Sequence, residues 1–520
     1  MTDMSGKYTI NCLPSASLKF YFLGYAAETV QVGKRAVVNV QMRVDASQID
    51  EAVVIGYGSV RKADLTGSVT NVKMADIKNV PVTSVDQALQ GRIAGADIMS
   101  TTGEPGATTS IRIRGTRSIS ASNEPLIVVD GVMDAIHDLN DLNSADIESI
   151  TVLKDASSTA IYGSRGSNGV IIITTKSGGS DSATKPNITF KADAGFSQLP
   201  RRLDIMNATE FALYRNDYAQ FASSDNMGEI GTTTPISESI YKDPFSLGKG
   251  TDWIEEITRT APYQNYNLSF SGANKKTRYY ASVGYNNTQG IIKKSGMERI
   301  QTAFNIDHQF FKWLKLGYNV RYTYRHNDEN LTQIGGTGWY NSAQYLSPLM
   351  KPQDIINPLY YSGQRINTPT ALLNNNTHYV NRHTLNQVAN VEITPIPTLK
   401  IRSQFSYYLY ERNTNRYYPS TLPIKTEGEG GDAYRSDAED YSLSSETTVT
   451  YDRDFLGGHH LDAMAGFTAY KSASKTFSLS GSGYMVDDNL WNNMNAVIDK
   501  ETYSASSSYS EISKMSVLAS

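Results

Sequence analysis

The sequence predicts a mixed fold: a small α/β domain, then antiparallel strands of a membrane-spanning β-barrel, with the end of a small β-sandwich in front. Three observations carry this. From residue 188 onward the 520-residue chain runs in two-residue alternations of apolar and polar side chains. The connections between those runs are long and short by turns. The composition, with 33 Tyr, 39 Gly and only 39% hydrophobic residues, suits extended strands and polar loops better than helices.

Composition also narrows the function. Net charge is −4 and no Lys/Arg-rich block occurs, which argues against a nucleic-acid partner. Cys12 is the single cysteine, so no internal disulfide forms, and it has no metal-ligand companions. No run approaches the ~18 apolar residues of a membrane-spanning helix. That leaves β-barrels open, because their alternating strands never look hydrophobic on average. The opening "MTDMSGKYTINC" lacks the basic start and apolar core of an export signal.

Taken in order, residues 6–44 alternate apolar and polar side chains between turns at "PSAS" and "VGKR", and read as strands of a β-sandwich too small to close its own core. A polar link, "DASQIDEAVVIGYGSVRK", holds a short apolar run. Residues 60–180 mix helix and strand. "TSVDQALQGRIAG" carries a capping box, Ser84 with Gln87, and a Gly stop. "TTSIRIRGT" and "PLIVVDGV" read as strands, and "NSADIESI" as a short capped helix before "TVLKD".

Beyond "TKSGGSDSATKP" the chain reads as a series of strands joined by loops. In "WLKLGYNVRYTY", Leu314, Leu316, Tyr318, Val320, Tyr322 and Tyr324 share one face, and Lys315, Asn319, Arg321 and Thr323 the other. One apolar face over about ten residues is the length that crosses a bilayer at a tilt. Residues 198–263, 326–381, 413–437 and 471–510 are the long connections; "ANKKT", "FK", "TPIPT" and "DRDFLGGH" are the short ones. A soluble sandwich has no reason to keep every long loop at one end, whereas an outer-membrane barrel does. Phe310, Phe311, Trp313 and Tyr451 sit at short turns, where an interfacial aromatic girdle belongs.

No catalytic constellation emerges, and neither a metal nor a cofactor is expected. The loop Gly163–Gly169, "GSRGSNG", follows a helix-prone segment and leads into the apolar strand "GVIIITTK". A phosphate cradle needs the reverse order, strand then loop then helix N-terminus, so this loop is read as a tight turn. Asp130, Asp134, Asp138 and Asp141 cluster around His137, but without the alternating ligands and closing Glu of a calcium loop; turns and helix caps are expected there. His459 and His460 are adjacent on a strand and so face opposite ways.

"IRIRGTRSISASNEPLIVVDGV" and "DIESITVLKDASSTAIYGSRGSNGVIIITTK" resemble the plug of the SusC/RagA family of TonB-linked outer-membrane transporters, and "TDWIEEITRTAPYQNYNLSFSGANKKTRYYASVGYNNTQG" resembles that family's early barrel. The resemblance covers essentially the whole chain. It implies a division into residues 1–48, the end of a carboxypeptidase-regulatory-like β-sandwich; 49–59, the segment offered to TonB; 60–180, the plug; and 185–520, the first part of a barrel of about 22 strands, the size of plugged transporters. "IDEAVVIGYG" resembles the TonB box, assigned to Asp50, Glu51, Ala52, Val53, Val54 and Ile55, which would add as a strand to the partner's sheet edge. The family usually has Val where Ala52 stands. By the same resemblance Arg114 of the "IRG" stretch and Lys154 would latch plug to barrel through acidic barrel residues. The implied function is TonB-driven import of an oligosaccharide or peptide across the outer membrane, with a SusD-like surface lipoprotein as lid and no enzymatic activity. The alternative is a non-transporting surface receptor or adhesin.

Overall fold

The computed structural model describes residues 8–13, 15–20, 28–33, 35, 37–40, 52–55, 58–61, 69–73, 84–100, 102–120, 122–136, 138–179, 184–224, 241–329, 343, 346–354, 367–422, 429–455, 459–497 and 500–519. Near the start, β1 (Ser17–Phe20) pairs antiparallel with β2 (Glu28–Gln31). β3 (Ala52–Ile55) and β4 (Gly58–Arg61) form a separate antiparallel pair, with Ile55 opposite Gly58.

The α/β domain follows. Its elements are β5 (Val69–Lys73), α1 (Val85–Leu89), β6 (Ala96–Ser100), β7 (Thr109–Ile113), β8 (Leu126–Val129), β9 (Val132–Met133), β10 (Ile147–Leu153), α2 (Ala156–Thr159) and β11 (Val170–Thr175). Five of the strands make one sheet in the order β5-β10-β11-β8-β9, and β6 pairs with β7 beside it. The run "VIIITT" is β11, buried on both faces between β10 and β8. Val85, Leu89, Ile98 and Ile111 close the core against Ile150, Ile171 and Ile173.

Two local expectations are corrected. Ser84 is the N-cap of α1, but its side chain makes no cap hydrogen bond. "NSADIESI" yields only a 3₁₀ turn, Ser144–Asp146 capped by Asn143. Ile147 onward is strand, because β-branched Ile150 and Thr151 are buried as rungs between β5 and β11, and buried Ile147 pairs with Thr175 of β11.

The rest of the chain is a wall of ten antiparallel strands in sequence order: β12 (Thr184–Ser197), β13 (Ala261–Ala273), β14 (Thr277–Gln289), β15 (Ser295–Phe311), β16 (Leu314–Glu329), β17 (Thr377–Ile396), β18 (Leu399–Tyr418), β19 (Gly431–Phe455), β20 (His459–Tyr484) and β21 (Ser504–Ala519). The expected face assignment of β16 holds: Leu316, Tyr318 and Tyr322 are exposed, while Arg321, Thr323 and Arg325 are buried. Phe190, Leu268, Phe304, Phe405 and Phe467 are exposed on the same outer side. A polar inner face and an apolar outer one invert the soluble pattern and suit a lipid surround. No described helix is long and apolar enough to cross a membrane; a barrel crosses with strands.

At the short turn between β15 and β16, Phe311 stacks on Trp313 with ring centroids 5.4 Å apart. β19 and β20 run to 25 and 26 residues, far beyond the expected ten. Two connections expected as long therefore shrink to 419–430 and 485–503. In residues 431–440 of β19, "GDAYRSDAED", both faces carry mostly polar side chains, so the alternation that marks a strand in sequence fades there.

At the opposite end the long connections pack on one another. α3 (Ala208–Ser224), α4 (Trp253–Ile257) and α5 (Pro369–Asn375) belong to them. Trp253, Ile254, Ile257, Met350, Leu373 and Leu422 share a core, and the Trp253 indole N–H donates to the Ser347 carbonyl at 2.9 Å.

Candidate functional site

The chemistry of the molecule concentrates where the α/β domain meets the inner face of β14–β18. The first anchor is a turn. Asp130 and Gly131 connect β8 to β9 with φ of 50° and 86°, the two positive values of a type I′ hairpin, for which Asp-Gly is a preferred pair. The turn aims the Asp130 carboxylate at the wall. It accepts from the Thr175 N–H and hydroxyl, both at 2.8 Å, and pairs with the Arg321 guanidinium. The Gln404 amide donates to the Asp130 carbonyl at 3.3 Å.

The second anchor is a cap. Asp138 starts the 3₁₀ turn Leu139–Asp141, one oxygen accepting from the Asn140 N–H at 2.9 Å. The other accepts from Arg325 at 3.1 Å, in an ion pair whose side chains are 3% and 8% exposed. Around it the wall holds backbone carbonyls: Arg299 and Gln301 donate to Asn140, Thr323 to Asp141, Asn386 to Ala135 and Asn327 to Pro105. Lower down, the Tyr280 hydroxyl donates to Asp146 at 2.7 Å and Asn305 to the Lys176 carbonyl at 2.7 Å. Burial pushes the Asp146 carboxyl above its ordinary range, while the Tyr280 and Ser282 hydroxyls pull it back.

The strand register makes these arginines a set. Arg299 lies opposite Arg325, which lies opposite Arg382, one inward row across β15, β16 and β17. Like charges directly opposite one another destabilise a sheet. Here the row is neutralised from two sides, by Asp138 of the α/β domain and by Glu329, whose carboxylate is 2.8 Å from Arg382. Across the junction the wall supplies cations and the α/β domain carboxylates, while Glu329 neutralises Arg382 within the wall itself.

The residues singled out in the sequence fall as follows. Ala52–Ile55 form β3, paired with β4; Asp50 and Glu51 lie outside the described residues, as does His137. Lys154 is buried, its Nζ donating to the Ala94 carbonyl within the α/β domain. Arg114 has φ of 59°, an exposed side chain, and an N–H donating to Gly95. Asp134 pairs with Arg165 of the Gly-rich loop. Among the described residues no group of three metal-ligating side chains occurs, and His460 contacts Asp454 at 2.9 Å. Arg299, Arg321, Arg325 and the carboxylates of Asp130 and Asp138 were not expected to form the junction. The available signal was arginine on the inward parity of "RYTYR", which needs a counter-charge, and an aspartate-rich stretch with no other use.

The family described as "TonB-dependent Receptor Plug Domain" matches residues 61–170. A TonB-dependent receptor of Formosa agariphila is 35% identical over 498 residues, covering 95% of this chain and 48% of that protein. The TonB-dependent receptor SusC of Bacteroides thetaiotaomicron is 34% identical over 390 residues, 73% of this chain and 36% of SusC. Among solved structures, the RagAB peptide importer in its "open-open" state superposes with a TM-score of 0.77 at 25% identity, covering 90% of this chain and 54% of that one. The chain spans about half the length of the curated relatives it matches.

Proposed function

Because the chain belongs to the SusC/RagA family of TonB-dependent receptors, we propose that it supplies the plug and first barrel strands of an outer-membrane importer for a large nutrient, an oligosaccharide or a peptide. The observation that carries this is the α/β domain held against the polar face of a lipid-type wall by buried ion pairs. A surface adhesin needs a wall and loops; a plug matters only where passage has to be blocked and then permitted. The family consists of receptors and transporters rather than enzymes.

On this reading residues 60–180 are the plug and 185–520 the barrel, with the boundaries set out above. Asp50–Ile55 are the TonB box, adding as a strand to the periplasmic partner and coupling import to the inner-membrane proton gradient. Arg114 and Lys154 retain their proposed latch role alongside the Asp130–Arg321 and Asp138–Arg325 pairs. A SusD-like lipoprotein covers the long loops; the RagAB pair, described as a peptide importer, is the precedent for both partner and cargo.

The test is a deletion of Asp50–Ile55 in the complete receptor in cells. Uptake driven by the proton gradient should be lost, while ligand capture at the surface and the amount of receptor in the outer membrane stay unchanged. Normal growth of the deletion strain on its nutrient would exclude the box assignment. Recovery of the intact receptor in the soluble fraction would exclude the location.

A further inference from the structure

Among the described residues, the plug–wall hydrogen bonds and ion pairs set out above fall on β14–β18. Toward β19–β21 the plug instead borders a cavity of about 460 Å³, lined by Ile127, Asp134 and Ile136 on one side and by Tyr470, Ser474 and Ser510 on the other. That volume lies within the range of ligand-sized pockets, about 300–1,000 Å³. At its margin the Arg165 guanidinium lies over the Tyr470 ring, 5.5 Å from the centroid, and is also paired with Asp134. The Gly-rich loop that carries Arg165 therefore contacts this part of the wall.

The wall there has a distinct chemistry. Ser472, Ser474 and Ser510 line the cavity, so even-numbered residues of β20 and β21 face inward. From 472 to 480 and from 504 to 510 every even-numbered residue is Ser or Thr. The register sets them opposite one another, Ser474 with Ser510, Thr476 with Ser508 and Ser478 with Ser506, the last pair 2.8 Å apart between hydroxyl oxygens. Each hydroxyl both donates and accepts, and none carries charge or bulk. A passing chain meets many weak, interchangeable sites, the condition for movement through a pore. The arginine-bearing face of β15–β17 offers the opposite, strong charged sites already engaged by the plug, or by Glu329 in the case of Arg382.

We propose that the nutrient crosses the barrel along the hydroxyl-lined face of β20 and β21, away from the latching strands β14–β18, and that the Arg165–Tyr470 contact closes this route at rest. The proposal rests on the import reading, and its test separates the two.

In a cysteine-free complete receptor, single cysteines replace Ser474, Ser478 and Ser506 on the proposed route, and Ala303 and Val388 on the latched wall. Cells receive a membrane-impermeant methanethiosulfonate reagent, with the proton gradient intact or collapsed. Labelling at the three serine positions should rise about tenfold on energisation, as local opening of the gap requires, and stay low at Ala303 and Val388. Arg165→Gln should raise labelling at Ser474→Cys several-fold without energy. Energised labelling at Ala303 and Val388 but not at the serines would overturn the route and leave import standing. Rates independent of the gradient at every position would overturn import and the route together. An Arg165→Gln receptor that labels like its parent would overturn the closing contact.

Discussion

Replacing Arg325 with Ala sets two opposing effects against each other, and their sizes decide the outcome. Arg325 stands between Arg299 and Arg382 in one cross-strand row, so its loss relieves two like-charge contacts, worth together up to about 1–2 kcal/mol. Its loss also leaves the Asp138 carboxylate, 8% exposed, without its ion-pair partner, which costs about 3–5 kcal/mol when one member of a buried pair is removed. Burial wins. Plug docking should weaken by about 2–3 kcal/mol, roughly 30- to 150-fold in the docking equilibrium. Hydrogen exchange of the amides of residues 138–146, followed in the complete receptor in detergent, reads this directly, because undocking exposes the 3₁₀ turn that Asp138 caps. Adding Asp138→Asn to the same chain removes the stranded charge and should restore much of the protection. Protection in Arg325→Ala within about 0.5 kcal/mol of the parent would refute the reasoning and place the buried pair among those that contribute nothing net.

Other outcomes follow from single contacts. Gly178 has φ of +101°, and a Cβ there would sit 2.3 Å from the Tyr279 carbonyl oxygen; Gly178→Ala must displace the backbone of β14 or the plug's exit strand, so the yield of heat-modifiable receptor on gels should fall sharply. Asp86 is buried, and burial raises its carboxyl above the usual 3.8. Its contribution to plug stability is complete below that value and is lost as pH rises through the elevated folded value. Asp86→Asn should flatten this limb in urea midpoints measured across mildly acidic to neutral pH. Trp253→Ala opens a void in the loop core and removes the bond to Ser347; at about 3–5 kcal/mol it should expose the rim to external protease while leaving the barrel resistant.

The fold was legible because two periodicities survive in the side chains. The apolar run of β11, buried on both faces, and the alternation of β16 each encode their surroundings locally. "NSADIESI" departs from its local signal for the opposite reason, since its fate is set by neighbours distant in sequence, Ile147 and Ile150 being taken up as sheet rungs. The junction was legible only in part. Inward parity marks Arg321 and Arg325 as needing counter-charges, but nothing local says that these come from Asp130 and Asp138, 191 and 187 residues away. Register is a long-range property. Only the pairing of β15 with β16 puts Arg299 opposite Arg325, and only the hairpin turn at Asp130-Gly131 turns that carboxylate toward the wall.

On the proposed outer-membrane reading, the packed rim of long loops decides how the receptor is seen from outside the cell. Trp253, Leu373 and Leu422 come from three separate connections yet share one core. An antibody or phage therefore meets a conformational epitope assembled from distant segments and held rigid by buried carbon. Immunogens made of single loop peptides lack that shape and should raise sera that bind the denatured chain and ignore the living surface. A substitution confined to the solvent side of α3 or α5 can alter the epitope while the core beneath it stays packed, so surface variation and structural integrity are free to evolve separately.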